Sequence, residues 1–420
     1  MKKEYRIILY TSIFLLCVVA SIILVVKKSN SVYEEESKPK VVKHKSMLSM
    51  NLEQTAGSGD YKTVTQSSWP TEGYKFNAEL SKCENGSTLS WDDTKKAVIV
   101  SGNLSDKCYV YFDIYQPTLA EYIKSQYTGT QGENNIYYHD SDLANGAGDN
   151  SYRYAGANPN NFVCFGTTES PCPTDNLYRI IGVINDKVKL IKYDYMTTDE
   201  LGTDGDYSQT YKEWGMDSTY KGTYGDGERI GVYYWNYKAT GSATNTWSTS
   251  LLNKTNLNTN FINNIGTTWA NKIATVTWKV GGNTWANIGT KTSSVAYTNE
   301  ITNPVTTNTT DNATTYSAKI GLMYVSDYGF AASPDAWTLT MSSYNNTTAT
   351  NNNWMYMGLY EWTISRIADY SNDAFNVDCD GNVSSYYVDG DCGVRASFNL
   401  ESSVSYVSGS GSMSDPIVIN

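Results

Sequence analysis

An uncharged apolar run near the N-terminus constrains this chain more than any other feature. Residues 7–26, IILYTSIFLLCVVASIILVV, carry no charged side chain and have about the length that crosses the hydrocarbon core of a bilayer. The run is longer than the apolar part of a cleaved signal peptide, and no A-x-A site follows it. We therefore expect residues 1–6 to be a cytoplasmic tail and 7–26 to be a transmembrane signal anchor. The protein would then be a single-pass protein of the cell membrane with an extracellular C-terminal part.

The cysteines beyond the anchor fall into three local pairs. These are Cys83 with Cys108, Cys164 with Cys172, and Cys379 with Cys392. Their proximity suggests three disulfides, although six cysteines allow fifteen connectivities. Disulfides persist in oxidising spaces, which agrees with an extracellular location. Because there is no C-x-x-C motif and His44 and His139 are the only histidines, the pattern does not favour a zinc site.

Charge and composition argue against a nucleic-acid partner. The formal net charge is −11 at pH 7, and the sequence pI is about 4.8, whereas a nucleic-acid-binding protein needs a basic face. Charged residues make up only 18% of the chain, which contains 35 tyrosines. Surface polarity must then come from Asn, Thr, Ser and Gly, a composition typical of extracellular all-β proteins.

Polarity separates two segments that follow the anchor. Residues 27–75 are polar with little apolar periodicity, which predicts a flexible stalk. Residues 76–116 contain the alternating runs KAVIVSG and KCYVYFD, which predict strands. With Cys83 and Cys108 near its ends, this second segment is predicted to be a small disulfide-stapled β-module.

The remaining chain is predicted to hold a connector and one large domain. Thr118 and Glu121 have the spacing of a capping box, so we expect a helical connector over 117–134. Residues 135–420 form the main domain. Its clearest element is NLYRIIGVINDKVKLIKYD at 176–194, which predicts a hairpin that turns at Asn-Asp.

Four segments of the main domain resemble a known group of proteins. They read NNFVCFGTTESPCPTDNLYRIIGVI, KIGLMYVSDYGFAASPDAWT, NNNWMYMGLYEWTISR and GVRASFNLESSVSYVSGSGSMSDPIVIN. They resemble uncharacterised bacterial membrane-anchored surface proteins related to the C-type-lectin-like fold, which includes formylglycine-generating-enzyme-like domains. The resemblance rests on a W…R…G-V-R-x-x-F succession and a C-terminal strand. It implies an α+β, mainly antiparallel β fold whose inserted loops form one exposed face.

The loops near the C-terminus have the composition of an antibody combining site. The stretches IADYSND and SSYYVDGDC combine Tyr, which offers a large contact area at little entropy cost, with small polar residues that adapt their hydrogen bonds. We expect 367–391 to be a ligand-binding surface. The predicted contacts are Ile367, Asp369, Tyr370, Ser371, Asp373, Asp378, Asp380, Ser384, Ser385, Tyr386, Tyr387, Asp389 and Asp391. The predicted scaffold residues that brace these loops are Trp362, Arg366 and Arg395.

The same surface has the composition of a diversified sequence. In some members of the C-type-lectin-like fold, diversity-generating retroelements mutate adenines, so that asparagine codons change to other codons. Lys, Glu, Gln, Met and Trp cannot be reached when both adenines mutate, and none occurs from Thr363 to Leu400. Loops rich in Asn, Ser and Asp avoid these residue types in any case. A hypervariable surface and an ordinary fixed loop therefore both remain open.

Catalytic and metal chemistry find little support in the residues. Outside the predicted stalk only His139 could act as a general base, and no G-x-S-x-G motif occurs; we expect a surface or hydrogen-bonded histidine. Glu361 is the only acid in the apolar run MYMGLYEW and is interpreted as a buried structural residue or a displaced catalytic one. Asp378, Asp380 and Asp389 loosely imitate an EF-hand loop, but no glycine stands at its sixth position. We therefore predict no catalytic residue and no cofactor, with Ca²⁺ as the alternative.

These observations favour a cell-surface protein, an adhesin-like binder of an extracellular protein or glycan. An enzyme of the formylglycine-generating or glycan-hydrolysing kind is the first alternative. A structural envelope protein is the second.

Overall fold

The computed structural model describes residues 48–65, 68–70, 73–211, 220–224, 229–304, 313–345 and 352–420. The predicted cytoplasmic tail and signal anchor lie outside these residues and stay predictions. Among the residues described, no helix combines the length and apolar character needed to cross a bilayer. The chain divides into two compact units, the first ending at Tyr115 and the second beginning at Gln116.

The first unit is a small β-structure closed by a disulfide. Its strands are β1 Leu48–Glu53, β2 Tyr61–Val64, β3 Tyr74–Cys83, β4 Thr88–Asp92, β5 Ala97–Ser101 and β6 Cys108–Ile114. Four of them form a sheet in the order β2-β1-β6-β3, and β4 and β5 form a hairpin. The predicted bond between Cys83 and Cys108 is present and joins directly paired residues of β3 and β6.

The expectation of a flexible stalk is wrong for residues from Leu48 onward. Strand β1 pairs in parallel with β6, and its Met50 and Leu52 pack in the core of this unit beside Phe112. The apolar residues of β1 do alternate, but only over one short strand. The surrounding polar residues masked that pattern in the sequence. The β-module is correspondingly larger than predicted, because its sheet begins before residue 76.

The second unit contains the other strands and all the described helices. The strands are β7 Ile136–His139, β8 Ser151–Tyr154, β9 Phe162–Cys164, β10 Leu177–Ile184, β11 Lys187–Lys192, β12 Tyr207–Thr210, β13 Gly231–Tyr234, β14 Val276–Lys279, β15 Thr315–Ala318, β16 Ile320–Gly321, β17 Glu361–Arg366, β18 Asp373–Val377, β19 Val383–Tyr387, β20 Asp391–Gly393, β21 Ser397–Asn399, β22 Tyr406–Ser408 and β23 Val418–Ile419. The α-helices are α1 Leu119–Ser125, α2 Thr198–Leu201, α3 Ile262–Asn264, α4 Gly266–Ala270, α5 Ser293–Tyr297 and α6 Val325–Ala331. Two π-helices span Leu252–Phe261 and Thr298–Thr302. Short 3₁₀ helices span Glu133–Asn135, Thr174–Asn176, Trp285–Asn287, Pro334–Thr338 and Met341–Ser343.

Helix α1 forms as predicted but is not a connector. The side chain of Thr118 and that of Glu121 make the reciprocal capping-box hydrogen bonds. Leu119 and Ile123 are buried in the main core of the second unit. The amphipathic side of α1 therefore belongs to the large unit, which begins before the predicted boundary at residue 135.

A seven-stranded sheet contains the predicted hairpin. Its order is β16-β21-β11-β10-β8-β7, and β9 also pairs with β10. Strands β10 and β11 pair in antiparallel fashion and turn at Asn185 and Asp186, which both have positive φ. This is the backbone conformation that two-residue hairpin turns require and that Asn and Asp tolerate.

A six-stranded sheet carries the C-terminal loops and separates two cores. Its order is β12-β13-β20-β17-β18-β19. Successive residues of a strand point to opposite faces. Accordingly, Ala374 packs in the main core with Trp362, whereas Phe375 packs in a second core with Val377 and Val383. Most strand pairs in the described residues are antiparallel, so the α+β, mainly antiparallel prediction is confirmed.

Two of the three predicted disulfides form. Cys164 is bonded to Cys172, but the expected bond between Cys379 and Cys392 is wrong, because both residues are thiols. Strand β17 lies between β20, which contains Cys392, and β18, which leads to Cys379. Two strand spacings amount to about 9.6 Å, whereas a disulfide needs Cα atoms within about 7 Å. Cys379 and Cys392 are close in sequence but do not form a disulfide, because β17 lies between β20 and β18 in the sheet.

Candidate functional site

The loops that follow β17 and β19 meet at one end of the six-stranded sheet. The backbone N–H of Val388 donates to the carbonyl oxygen of Asn372 at 2.9 Å, which ties the second loop to the first. Directly opposite residues of β18 and β19 extend this contact, since Asp373 pairs with Tyr387. We call residues 369–373 and 386–391 the loop tip.

A third loop braces the loop tip from a distant part of the chain. The side-chain amide nitrogen of Asn245 lies 2.7 Å from the carbonyl oxygens of Ile367, Tyr370 and Asp373. Its backbone N–H donates to the carbonyl oxygen of Ser371, also at 2.7 Å. These contacts hold the first loop in one shape. Asn245 stands in a Thr- and Ser-rich loop whose composition gave no signal for this role.

Three tyrosines of the loop tip are exposed. The exposed fractions are 58% for Tyr370, 44% for Tyr386 and 59% for Tyr387. Strand β19 is an edge strand, and its residues alternate between faces. Tyr386 pairs with Ala374 and Tyr387 with Asp373, so the two neighbouring tyrosines leave the sheet on opposite faces. The loop tip thus presents an aromatic side chain on each side of the sheet edge.

A further exposed tyrosine lies next to the loop tip. The backbone N–H of Asn236 donates to the carbonyl oxygen of Val388 at 3.0 Å. Tyr237, the next residue, is 46% exposed and stacks on Tyr234 with ring centroids 4.7 Å apart. Sequence reasoning missed Tyr237, because only the long-range pairing of β13 with β20 brings it here.

The loop tip is acidic. Burial raises the pKa of Asp373, and the charges of Asp369 and Asp389 raise it further, so Asp369 and Asp389 each lie close enough to Asp373 to repel it. The Oδ1 atom of Asp373 is buried and accepts no hydrogen bond from any described residue. Lys238, which is exposed, follows Tyr237 in the neighbouring loop. The surface therefore combines tyrosine rings with an excess of negative charge.

Not every predicted contact residue belongs to this surface. Ile367 is 1% exposed and packs in the second core, so its assignment as a ligand contact is wrong. Asp378 and Asp380 follow the far end of β18, about 17 Å from Asp373 by the rise of five strand residues. They cannot share one compact face with the loop tip. The composition of 367–391 was uniform, but the β18–β19 hairpin places the middle of this stretch, around Asp378 and Asp380, at the end of the sheet opposite to the loop tip.

Three further residues predicted as ligand contacts are half-buried, namely Ser384, Ser385 and Asp391. Ser384 and Ser385 lie in the middle of β19 opposite Asn376 and Phe375. Asp391 accepts a hydrogen bond from the side-chain amide of Gln209 at 2.9 Å. Ser371, in contrast, is exposed at the loop tip.

The residues predicted as scaffold are all buried. Trp362 is fully buried and donates its indole N–H to the carbonyl oxygen of Tyr233 at 2.8 Å. Arg366 donates through Nε to the carbonyl oxygen of Val280 at 3.2 Å. Arg395 makes the bidentate contact with Glu361, at 2.8 and 2.9 Å. Burial raises the pKa of Glu361, and Arg395 opposes that rise.

His139, which was considered as a general base, lies in a buried structural environment. His139 is fully buried against Phe330 and Trp337, and its Nδ1 accepts the backbone N–H of Ala147 at 3.0 Å. It is thus hydrogen-bonded but not on the surface. Burial lowers its pKa to about 3, so it is neutral at physiological pH. In the ranges that the structure describes, no group of three or more His, Cys, Asp or Glu side chains could hold a metal ion.

Comparison with protein-family models, curated proteins and solved structures finds no significant match for this chain. The resemblance to C-type-lectin-like surface proteins therefore remains an expectation from the sequence, and function must be argued from the loop tip itself.

Proposed function

We propose that this protein is a membrane-anchored surface receptor that binds an extracellular ligand through the loop tip, without catalysis. In this proposal residues 7–26 hold the chain in the membrane, and the second unit is a C-type-lectin-like domain. The observation that carries it is the group of exposed tyrosines at a tip braced by Asn245. Rigid aromatic anchors surrounded by adaptable polar groups are the usual means of recognition by loops.

The electrostatics of the tip favour a cationic ligand. Asp369 and Asp389 each repel Asp373, and a Lys or Arg side chain of a protein ligand would relieve that repulsion. The faces of tyrosine rings also attract cations, by about 0.5–2 kcal/mol per contact. A basic segment of an extracellular protein fits these features better than a neutral glycan does.

A fluorescently labelled hexa-arginine peptide tests this proposal against the full-length protein. Replacing all three acids in Asp369→Asn, Asp373→Asn and Asp389→Asn should weaken binding at least about tenfold, which corresponds to about 1.4 kcal/mol. The matched control is Asp60→Asn, Asp142→Asn and Asp335→Asn, which removes the same charge from exposed positions elsewhere. Equal loss of affinity in both triple variants would mean that only the net charge matters, and would defeat the proposal.

A hypervariable form of the same function is supported by burial. Ala374, Phe375, Val388 and Val394 are fully buried, as fixed framework residues between variable loops would be, whereas residues 369–373, 384–387 and 389–391 are exposed or half-buried. Sequencing codons 363–400 across a clonal culture, with the flanking DNA, tests it. Substitutions at adenines of a nearby template would support diversification. Codons as invariant as the rest of the gene would leave a receptor with one fixed ligand.

A further inference from the structure

A cavity in the second unit, apart from the loop tip, is lined by positive charge. Its volume is about 300 Å³, and its walls include Phe162, Arg179, Tyr193, Lys221, Trp354 and Met413. It shares no lining residue with the loop tip. No Asp or Glu is among the described residues that line it. Because the chain has a net charge of −11, a cavity whose described lining contains cations and no carboxylate is unexpected.

Arg179 is a buried cation whose described hydrogen-bond acceptors are all neutral. It is 5% exposed, and its guanidinium carbon lies 4.3 Å from the ring centroid of Phe162 and 4.7 Å from that of Trp354. It donates to the side-chain oxygen of Asn161 and to the carbonyl oxygens of Pro159 and Trp354. A buried charge usually has a counter-ion, because an unpaired one loses its hydration without compensation.

Arg179 differs from two other buried arginines, Arg153 and Arg395, which have carboxylate partners. Arg153 pairs with Asp149 and Asp327, and Arg395 pairs with Glu361. An arginine carries five N–H groups. Arg179 uses one on Nε and one on each terminal nitrogen, so one N–H remains on each terminal nitrogen. A carboxylate that binds in a bidentate manner accepts two such groups.

Lys221 brings a second positive charge to the same cavity. Its pKa is lowered to about 8 by burial and by the charge of Arg179, so the two cations lie close enough to repel each other. Lys221 is held there by its backbone, because its carbonyl oxygen accepts the hydroxyl of Tyr193 at 3.1 Å. Its Nζ lies 5.0 Å from the ring centroid of Tyr356. An anion in the cavity would offset both charges.

We propose that this cavity binds a small organic carboxylate carried on an apolar or aromatic body. Arg179 and Lys221 would hold the carboxylate, while Phe162, Trp354 and Met413 would contact the body. The volume of about 300 Å³ lies at the lower end of the range for small-molecule sites, which favours a small acid or the C-terminal residue of a peptide. Few precisely placed polar groups among apolar walls are typical of small-molecule sites.

Isothermal titration of the full-length protein with 3-phenylpropionate tests the proposal. The neutral analogue 3-phenylpropanol should bind at least tenfold more weakly. The cavity is not a carboxylate site if both compounds bind equally. It is also not a carboxylate site if the acid shows no binding at a concentration on the order of 10 mM. The peptide Gly-Gly-Phe and its C-terminal amide distinguish the two sources of the ligand. Tighter binding of the peptide acid than of 3-phenylpropionate assigns the site to a peptide C-terminus, and the reverse assigns it to a free acid.

Two variants in the cavity wall, compared with one control variant outside it, test where the ligand binds. Lys221→Gln should weaken binding of 3-phenylpropionate about tenfold, and Lys254→Gln, an exposed lysine outside the cavity, should leave it within about twofold. Met413 is 41% exposed, so Met413→Glu should fold normally and should weaken binding by placing a negative charge at the wall. Unchanged affinity in Lys221→Gln and Met413→Glu would overturn the proposal.

Binding should also depend on pH in a defined direction. Lys221 is charged below its pKa of about 8 and loses its charge above it. The affinity for 3-phenylpropionate should therefore fall between pH 7 and pH 9 in the wild type and remain flatter in Lys221→Gln. Among the described residues, Arg179 lies close enough to affect the charge of Lys221, Tyr356 presents its ring to the Lys221 Nζ, and Tyr193 donates to the Lys221 backbone carbonyl oxygen. An equal fall in both proteins would contradict the role of Lys221.

Discussion

At the scale of single residues, buried charges are satisfied in two different ways. Glu361, at the start of β17, and Arg395 compensate each other, whereas Arg179 is surrounded by neutral acceptors and aromatic rings. The first arrangement holds a strand in place, and the second leaves charge for a ligand. The sequence indicated that Glu361 was unusual, because it is the only acid in an apolar run, and it predicted that Arg395 braces the loops. It could not indicate which carboxylate faces which arginine.

Removing one member of the buried pair should be costly. Glu361→Gln leaves the charge of Arg395 buried without a counter-ion, and breaking such pairs costs about 3–5 kcal/mol. The free energy of unfolding, measured by denaturant titration, should fall by about that amount. Asp175→Asn, which removes the partner of the exposed Arg229, should cost less than about 1 kcal/mol. Similar losses in the two variants would contradict the structural role of Glu361.

His139 should make stability depend on pH. Its pKa is about 3 in the folded protein and about 6.5 in the unfolded chain. Between these values the unfolded state binds a proton that the folded state does not, so the free energy of unfolding decreases as the pH falls below 6.5. The slope for one proton is about 1.4 kcal/mol per pH unit. His139→Gln should reduce the slope between pH 6 and pH 4 by about that amount, and identical slopes would show that His139 titrates normally.

At the scale of elements, local patterns were predicted better than pairings. The hairpin β10–β11, the strands β5 and β6 and the capping box of α1 follow from residues close in sequence. Strand β1 was missed because its apolar positions are few. Leu257 and Phe261 have the four-residue spacing typical of an α-helix, but the segment Leu252–Phe261 is a π-helix. The single face expected from 367–391 failed because the hairpin places its turn, with Asp378 and Asp380, about 17 Å from the loop tip.

The geometry of β19 predicts that two adjacent tyrosines act separately. Tyr386 and Tyr387 leave the sheet on opposite faces, and Tyr386 also approaches the ring of Trp362 at 6.1 Å. Tyr386→Ala and Tyr387→Ala should weaken hexa-arginine binding to different extents, with the double variant losing the sum of the two free energies. Both are about half exposed or more, so thermal unfolding should change little. A large loss of stability in Tyr387→Ala would instead mark it as a core residue.

At the scale of the whole molecule, function depends on contacts that no local pattern contains. Asn245 forms hydrogen bonds to the first loop of the tip, and Tyr237 lies next to the tip. Both residues stand more than a hundred residues before the tip in sequence. The Arg179 cavity likewise joins β9, β10 and residues near 221, 354 and 413. Sheet topology brings these groups together, which is why the sequence predicted residues 369–373 and 386–391 of the loop tip but not Asn245, Tyr237 or the cavity.

Binding of the ligand at the loop tip should be visible in the backbone amides of the folded protein. Hydrogen–deuterium exchange of the full-length protein should be measured with and without hexa-arginine peptide. Amides of 369–373 and 386–391, together with those around Tyr237 and Asn245, should become slower to exchange on binding, while those around Arg179 should not change. Protection confined to other parts of the chain, with the loop tip unchanged, would contradict binding at the loop tip.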